Sequence, residues 1–271
     1  MLKAGVNMQD VQNTPDDRGI EIQRVGIKGV HLPVLITTQE GSFQQLLGKI
    51  TAAVSLPQQY KGTHMSRFME ILGEWGQKPI SGRELKLMLK EIRTRLKASS
   101  ADLTLSFRYF IPVTAPVSHL TAPLDYLCEF KGCLSEEGYD FRMTTEIPII
   151  SLCPCSKAIS KYGAHNQRAI IKATVKCLPG KYLWIEELVS LLQAQGSSRV
   201  YPVLKRDDEK YITEEAYDNP KFVEDILRDS VLALRQEEKV SWFHLEVESF
   251  ESIHNHSAFA YHEEDKSSIH Q

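Results

Sequence analysis

The sequence predicts an α+β fold in which antiparallel sheets carry helices on one face. Several segments alternate apolar and polar residues with the period of a strand that has one buried face. Other segments place apolar residues at the three- and four-residue spacing of an amphipathic helix. Hairpins are separated by helices without the regular strand–helix–strand order of a parallel sheet, and this order favours helices on one side of an antiparallel sheet.

The first half of the chain begins with a predicted strand over 27–37, and a polar stretch then leads to a helix near 66–75. A stronger helix is predicted over 82–97, where Ser81 and Glu84 have the spacing of a capping box. Its apolar stripe consists of Leu85, Met88, Leu89, Ile92 and Leu96. Alternating apolar residues predict three further strands, over 103–111, 124–131 and 139–150.

The second half is predicted to contain a strand over 167–177, a helix near 181–193 and a strand over 243–247. Between them, Asn219 as N-cap and Pro220 at the first helical position predict a helix that runs to about Arg235.

Composition and charge limit the possible classes of function. With 271 residues, 42% of them hydrophobic, the chain can bury a sizeable core as one large domain or as two fused modules. A net charge of -3 argues against a general nucleic-acid binder, whose surface needs a large basic excess. A polyanionic ligand must therefore meet a local cluster of basic residues.

The five cysteines do not suggest a disulfide framework, because their number is odd and the first ten residues lack the pattern of a secretory signal. Cys128 and Cys177 stand in alternating strands and are interpreted as small buried hydrophobic residues. Cys153 and Cys155 differ, because His165 follows them closely, and two thiols near an imidazole suit zinc or a similar divalent ion.

This cysteine segment is expected to be a loop at the end of a strand. It could hold a catalytic metal, form a closed structural zinc site, or contain two ordinary loop cysteines, and spacing alone leaves the choice open. If Cys153 and His165 bind a metal, Cys155 need not be a ligand and becomes a candidate reactive thiol.

Three further clusters carry chemistry-bearing residues. Residues 62–68 form a glycine-led turn into a helix, whose N-terminus would attract anions. Residues 201–210 mix cations and carboxylates in a predicted loop before a helix, and residues 251–256 place a carboxylate and two imidazoles after a strand. Each has an ordinary interpretation as a capping sequence, a solvated turn or a group of surface histidines, and the residues alone do not decide.

Six segments in this order resemble the type IB GTP cyclohydrolase I family. They are Gly-Thr-His-Met-Ser-Arg-Phe (62–68), Ser-Leu-Cys-Pro-Cys-Ser-Lys (151–157), Gly-Ala-His-Asn-Gln-Arg (163–168), Tyr-Pro-Val-Leu-Lys-Arg (201–206), Asp-Glu-Lys-Tyr (208–211) and Glu-Ser-Ile-His-Asn-His (251–256). The resemblance spans residues 25 to about 260, and six motifs in one order are highly specific.

The resemblance implies the tunnelling fold, in which each chain supplies two fused modules and chains join into oligomeric barrels with active sites at subunit interfaces. The modules are expected over 21–150 and 151–260, the second carrying most metal-site residues. The polar segments 1–20 and 261–271 are expected to be a mobile N-terminal arm and a frayed polar tail. We expect a homotetramer.

The reaction that the resemblance implies is the conversion of GTP and water to 7,8-dihydroneopterin triphosphate and formate. This reaction is the entry to folate biosynthesis and, in many bacteria, to deazaguanine tRNA modification. The resemblance places the enzyme in the bacterial cytoplasm with zinc or manganese as the working metal, and iron as a further option. We expect no nucleic-acid partner and no membrane partner.

The same resemblance implies roles for individual residues. The expected metal ligands are Cys153, His165 and Glu209, and Glu251 is expected either to coordinate the metal as well or to hold the metal-bound water. The expected catalytic residues are Cys155 and His254 for proton transfer, His256 as an orienting partner, and the metal-binding Cys153. Glu224, on the helix after Asn219, is expected to accept hydrogen bonds from the guanine base. The triphosphate is expected to contact some of His64, Ser66, Arg67, Lys157, Arg168, Lys205 and Arg206, from more than one chain, and Lys157 is also expected to lower the pKa of Cys155.

Two alternatives from other classes stay open. A tunnelling-fold nitrile reductase of queuosine synthesis also uses a cysteine, with NADPH, and a non-catalytic zinc-binding module would need no substrate. The motifs at His165 and His254 argue for the cyclohydrolase. The spread of polar motifs over four distant loops argues against a binding module.

Overall fold

The computed structural model describes residue 12 and residues 14–266. The strands are β1 (Ile22–Thr37), β2 (Phe43–Leu56), β3 (Pro79–Ile80), β4 (Ala101–Thr114), β5 (Thr121–Leu134), β6 (Tyr139–Leu152), β7 (Asn166–Cys177), β8 (Ser198–Arg199), β9 (Val240–Ser249) and β10 (Ala258–Asp265). The helices are α1 (Met65–Trp75), α2 (Gly82–Arg95), α3 (Pro154–Ile159), α4 (Ile185–Gln193), α5 (Arg206–Asp218) and α6 (Val223–Gln236). The predicted α+β class is confirmed. Most of the expected N-terminal arm and the end of the expected tail lie outside the described residues.

The chain divides into two compact units. The first contains the described residues through Thr37, together with Gln45–Leu105 and Lys131–Asp140. The second contains Thr38–Gln44, Ser106–Phe130 and the described residues from Phe141 onward. Strands β4 and β5 contribute residues to both units. The modules over 21–150 and 151–260 remain a prediction. No helix in the described part of the chain is both long and apolar enough to cross a membrane.

In the first unit, helices α1 and α2 pack against each other. The capping box predicted for α2 is present, because Ser81 Oγ accepts the backbone N–H of Arg83 and Glu84 Oε2 accepts the backbone N–H of Ser81. The indole N–H of Trp75 donates to Glu91 Oε2 at 2.8 Å and fixes the end of α1 against α2. The predicted stripe of α2 is buried at Leu85, Met88, Leu89 and Ile92.

The first unit also contains a strand that the sequence pattern did not predict. The polar stretch expected after β1 is strand β2, which lies beside β1 in the sheet. The two strands approach each other closely at Gly26, where a Cβ atom would lie 2.0 Å from the backbone oxygen of Ala52. β1 and β3 pair in parallel, with Leu35 opposite Pro79, which is an exception to the antiparallel prediction.

In the second unit, the strands follow the order β10, β9, β7, β6 and β5. The pairs β10/β9, β9/β7 and β7/β6 are antiparallel, as predicted. Alternate residues of β9 are buried, with Phe243, Leu245 and Val247 fully inaccessible to solvent. Helix α6 lies against β9 and β10, so the predicted packing of a helix on an antiparallel sheet is confirmed in this unit.

Three boundaries in the second unit differ from the predictions. The Cys-Pro-Cys segment, expected to be a loop, forms the short helix α3 with Cys153 as its N-cap. The charged run at Arg206, also expected to be a loop, is the first turn of α5. The chain beyond Tyr261, expected to be frayed, pairs with β9 as far as Asp265. In each case, hydrogen bonds to distant backbone or to a capping residue stabilise a segment whose own polarity suggested a loop.

Asn219 does not begin the last helix. It is the C-cap of α5, where its N–H donates to the carbonyl oxygen of Glu215 at 3.1 Å. Helix α6 begins at Val223, and Asp225 Oδ2 accepts the N–H of Phe222 at 3.1 Å. Asp225, in the first turn of α6, therefore provides the hydrogen-bond acceptor at the helix N-terminus, a role that was expected of Asn219.

The structure supports the interpretation of the two strand cysteines. Cys128 is 1% exposed, and burial raises the pKa of its thiol to about 12. Burial also raises the pKa of Cys177, which is half-buried. Because the thiolate is the nucleophilic form, both thiols are poor nucleophiles near neutral pH.

Candidate functional site

Three of the sequence motifs meet at one edge of the sheet in the second unit. Cys153 directly follows β6, His165 directly precedes β7, and Glu251 comes shortly after the end of β9. Strand β7 lies between β6 and β9 and is antiparallel to both, so these three positions share the same edge. The antiparallel topology therefore places a thiol, an imidazole and a carboxylate in one region.

Hydrogen bonds hold Cys153 against His165. The N–H of Cys153 donates to the carbonyl oxygen of His165 at 3.2 Å. The hydroxyl of Ser156 accepts the N–H of His165 at 3.2 Å and donates to the carbonyl oxygen of Cys153 at 3.1 Å. Cys153 Sγ accepts the N–H of Ser156 at 3.5 Å. The backbones of Cys153 and His165 are thus held together at the start of the same short helix.

A side-chain network connects His165 to Glu251 through Gln167. Gln167 Oε1 lies 3.0 Å from His165 Nδ1, and Gln167 Nε2 lies 3.2 Å from Glu251 Oε1. The hydroxyl of Ser249 donates to the same Glu251 oxygen at 2.9 Å and accepts from Gln167 Nε2 at 3.2 Å. Gln167 and Ser249 were not among the predicted site residues, and the available sequence signal for Gln167 was its position two residues after His165 in one motif.

The fourth predicted ligand, Glu209, has a different location. It is exposed in the first turn of α5, whereas the last turn of α5, at Tyr217, contacts Lys157 of α3. Tyr217 follows Glu209 by eight positions in the helix, which corresponds to roughly 12 Å along its axis. Within the described residues, no group of three or more His, Cys, Asp or Glu side chains could hold a metal ion. The four ligands therefore do not assemble within the single chain, and their assignment stays a prediction.

The donors at the sheet edge nevertheless have the right chemistry for a divalent metal. Cys153, His165 and Glu251 offer sulfur, nitrogen and oxygen, all of which zinc accepts as ligands. Because Gln167 engages Nδ1 of His165, Nε2 is the imidazole nitrogen suited to a metal bond. The residues present therefore fit a zinc-like ion.

The predicted proton-transfer residues Cys155 and His254 are exposed, as is His256. The rings of His254 and His256 stack with centroids 5.1 Å apart and an interplanar angle of 17°. The two imidazoles therefore share a face, as their spacing suggested. Ser252, in the same loop, places its hydroxyl oxygen 3.5 Å from His165 Nδ1, so this loop approaches the hydrogen-bond network.

Lys157 contacts Tyr217. Its Nζ donates to the carbonyl oxygen of Tyr217 and lies 4.2 Å from the centroid of the tyrosine ring. The contact joins α3 to the C-terminal end of α5, where the helix carbonyl groups favour a cation. A bond from Lys157 to a triphosphate would use the remaining donors of the ammonium group, and that role stays a prediction.

A cleft in the first unit includes part of the segment 62–68. It has a volume of about 190 Å³ and contains the start of α1, with His64 and Arg67 of the predicted triphosphate set in its lining. Lys97 adds a further cation to the lining, and Ser66 is exposed in the same first turn of α1. Basic side chains beside a helix N-terminus make this cleft suitable for an anion.

The other predicted substrate residues lie in the second unit. Arg168 is exposed on β7, Lys205 is the N-cap of α5, and Arg206 is its first residue. Glu224 is exposed in the first turn of α6, so the expected carboxylate does lie on a helix. These side chains are accessible to a ligand, and their contacts with a substrate remain predictions.

Asp208 is a buried carboxylate that the sequence interpretation did not single out. Its Oδ1 accepts the N–H groups of Val117 and Ser118 at 2.8 and 2.9 Å, and its Oδ2 accepts the N–H of Lys205 at 2.8 Å. Burial by itself would raise the pKa of Asp208, but hydrogen bonds from Ser118, Lys205 and Val117 outweigh it and hold this pKa well below the usual range. Asp208 therefore anchors the start of α5, which carries Glu209.

The fold is similar to that of a solved urate oxidase. The uricase from Arthrobacter globiformis matches this chain with a TM-score of 0.56 at 6% sequence identity, covering 90% of this chain and 93% of the uricase chain. At this identity the similarity shows the fold alone, and it agrees with a tunnelling-type fold.

Sequence comparison with known proteins shows the family. Residues 8–260 match the model of the type I GTP cyclohydrolase FolE2 family. The GTP cyclohydrolase FolE2 of Magnetococcus marinus is 46% identical over 254 residues, which cover 94% of this chain and 95% of the relative. The GTP cyclohydrolase FolE2 of Geobacter sulfurreducens is 47% identical over 259 residues, which cover 96% and 99%. The chain therefore belongs to the type I GTP cyclohydrolase FolE2 family, and the family resemblance found in its motifs is confirmed.

Proposed function

We propose that this protein is a metal-dependent GTP cyclohydrolase that converts GTP and water to 7,8-dihydroneopterin triphosphate and formate, the first step of folate biosynthesis. The observation that carries the proposal is the match of residues 8–260 to the GTP cyclohydrolase family. The sheet edge with Cys153, His165 and Glu251 supports it, because metal-binding donors lie in a region that also contains exposed acid–base groups.

Cys153, His165 and Glu209 would hold the metal, with Glu251 as a further ligand. When bound, zinc, manganese or iron would supply Lewis acidity that activates water near neutral pH. Gln167 orients His165 for this role through its bond to Nδ1. Cys153 is oriented by its place as the N-cap of α3 and by its backbone bond to His165.

The reaction needs two hydrations at one carbon of the purine. Water adds to C8 and opens the imidazole ring, and a second hydration releases formate before the ribose rearranges and the pterin ring closes. Cys155 and His254 transfer the protons, and the exposure of both side chains supports access to a substrate. An imidazole suits this task because it can both accept and donate a proton, and His256, stacked on His254, orients it.

GTP binding requires one carboxylate and a group of cations. Glu224 accepts hydrogen bonds from N1 and the 2-amino group of guanine, because a carboxylate offers two acceptor oxygens. The triphosphate takes its contacts from some of His64, Ser66, Arg67, Lys157, Arg168, Lys205 and Arg206, contributed by more than one chain. The basic lining of the cleft in the first unit supports the contribution of His64 and Arg67.

We place the enzyme in the bacterial cytoplasm as a homotetramer, with chains joined into barrels and active sites at subunit interfaces. Each chain contributes the two modules over 21–150 and 151–260. Glu209 takes no part in the Gln167 hydrogen-bond network of its own chain, which agrees with a site shared between chains.

Formate release from GTP by the metal-loaded protein tests the function. We expect one formate per GTP consumed, with a pterin product, and no turnover in the variant Cys155→Ala. Reduction of a nitrile with NADPH without formate release would indicate a nitrile reductase instead. Metal binding with neither reaction would indicate a non-catalytic zinc-binding module.

A further inference from the structure

The side chain of Gln167 lies between a proposed metal ligand and a carboxylate. It is half-buried at the start of β7, with His165 Nδ1 at 3.0 Å from its oxygen and Glu251 Oε1 at 3.2 Å from its nitrogen. Ser249 accepts a second hydrogen bond from the same nitrogen at 3.2 Å. Both ends of this amide are therefore hydrogen-bonded.

The chemistry of the partners decides which way the amide points. An ionised carboxylate only accepts hydrogen bonds, so the NH₂ group of Gln167 must face Glu251, and its oxygen must face His165. An amide oxygen only accepts, so His165 Nδ1 must carry a proton. The neutral imidazole then has its lone pair on Nε2.

We propose that Gln167 is a positioning residue that holds His165 as the Nδ1–H tautomer and links this orientation to Glu251. The proposal rests on the proposed function, since that function makes His165 a metal ligand. Gln167 acts through His165, because a ligating histidine needs its other nitrogen fixed by an acceptor. Glu251 takes part through the same amide, as the acceptor that orients it.

A merely structural role would be to tie β7 to β9, and the experiment must separate the two roles. The tautomer of His165 reports directly on positioning, and long-range ¹⁵N–¹H NMR of the metal-free protein measures it. The measurement is made on the neutral ring, at alkaline pH. We expect the Nδ1–H tautomer in the unsubstituted protein. An Nε2–H tautomer would overturn the proposal, and this measurement does not depend on whether any variant folds.

Cobalt(II) binding provides the second measurement, through competition with a chromophoric chelator and the visible spectrum of the bound ion. Gln167→Met keeps the side-chain length but removes both strong hydrogen bonds, and we expect it to weaken Co(II) binding about 10- to 100-fold. Gln167→Glu keeps an acceptor for Nδ1–H but replaces the donor to Glu251 by an oxygen, so we expect it to recover only part of that loss. Asn166→Ala, at the exposed neighbouring position on β7, is the matched control and should leave binding unchanged.

The outcomes separate this proposal from the proposed function. If Gln167→Met lowers the melting temperature of the metal-free protein but binds Co(II) as tightly as the control, Gln167 only ties strands and the proposal fails. If the tautomer and the Co(II) affinities follow the expected pattern and GTP yields no formate, the positioning role stands and the proposed function fails.

Discussion

The ammonium group of Lys157 donates a hydrogen bond to the carbonyl oxygen of Tyr217 and lies 4.2 Å from the centroid of the tyrosine ring. This contact joins α3, which carries Cys155, to the C-terminal end of α5. Lys157 therefore stabilises the packing of the cysteine segment, and this role does not depend on a contact between Lys157 and a substrate.

Replacing Lys157 tests which of its two roles dominates. Lys157→Met removes the charge and the hydrogen bond, and we expect the free energy of unfolding to fall by about 1 kcal/mol. We expect KM for GTP to rise by less than about threefold, which corresponds to a small change in the free energy of binding. Urea unfolding and steady-state kinetics measure the two effects, with exposed Lys161→Met as the control. A large rise in KM with unchanged stability would place Lys157 in the triphosphate site instead.

The buried carboxylate of Asp208 should dominate the stability of the α5 N-terminus. Asp208→Asn exchanges an acceptor oxygen for an NH₂ group that faces backbone donors, so we expect the melting temperature to fall by several degrees. Asp207→Asn, at the exposed preceding position, is the control and should have little effect. Equal melting temperatures for the two variants would contradict the anchoring role.

The lowered pKa of Asp208 also predicts a pH dependence. Its folded pKa lies below the ordinary value of about 3.9, so its contribution is present above that pH and is lost as the pH falls toward the folded pKa. Asp208→Asn should therefore weaken the dependence of unfolding free energy on pH below about pH 4. Urea titrations across the acid range provide the measurement, and an unchanged slope there would argue against the low pKa.

Close packing between β1 and β2 predicts a strong effect at Gly26. A Cβ there would lie 2.0 Å from the backbone oxygen of Ala52, so Gly26→Ala must displace a strand and should cost about 3 kcal/mol or more. Gly73→Ala is the matched control, because an added Cβ in α1 has no neighbouring heavy atom within 4 Å. We expect that change to stabilise the protein by about 0.5–1 kcal/mol. Thermal melts of both variants should therefore shift in opposite directions.

The two cysteines of α3 should separate metal binding from proton transfer. We expect Cys153→Ala to lose both the metal and formate release, because the variant lacks a thiolate ligand. We expect Cys155→Ala to keep the metal and lose formate release. Metal analysis by plasma mass spectrometry, beside a formate assay, measures both. Loss of the metal from Cys155→Ala would make Cys155 a ligand and reverse this division of roles.

Guanine recognition should depend on Glu224. Glu224→Gln replaces one acceptor oxygen by a donor, so we expect a rise in KM for GTP of about tenfold or more, with metal content unchanged. Glu214→Gln, which alters another exposed carboxylate on a helix, is the control. Unchanged kinetics in Glu224→Gln would show that Glu224 is an ordinary solvent-exposed residue with no role in guanine binding.

Local sequence signals predicted the elements whose first residue or buried face is encoded by neighbouring residues. Helix α2 begins at its capping box, and β9 shows its buried face through strict alternation of apolar residues. Helix α5 was missed because its first turn is charged and is anchored by hydrogen bonds that Asp208 accepts from the N–H groups of Val117 and Ser118, about ninety residues earlier in the chain. A short-range pattern contains no information about such a partner.

The sequence by itself determined the α+β class, the family and the chemical types of donor at the candidate site, because these depend on residue identity and spacing. Only the tertiary structure decided that Gln167 lies between His165 and Glu251, that Lys157 contacts Tyr217, and that Glu209 lies in the first turn of a helix. The physical reason is that hydrogen bonds depend on strand register and side-chain direction to within an ångström. Strand register and helix placement are set by packing between segments that are distant in the chain.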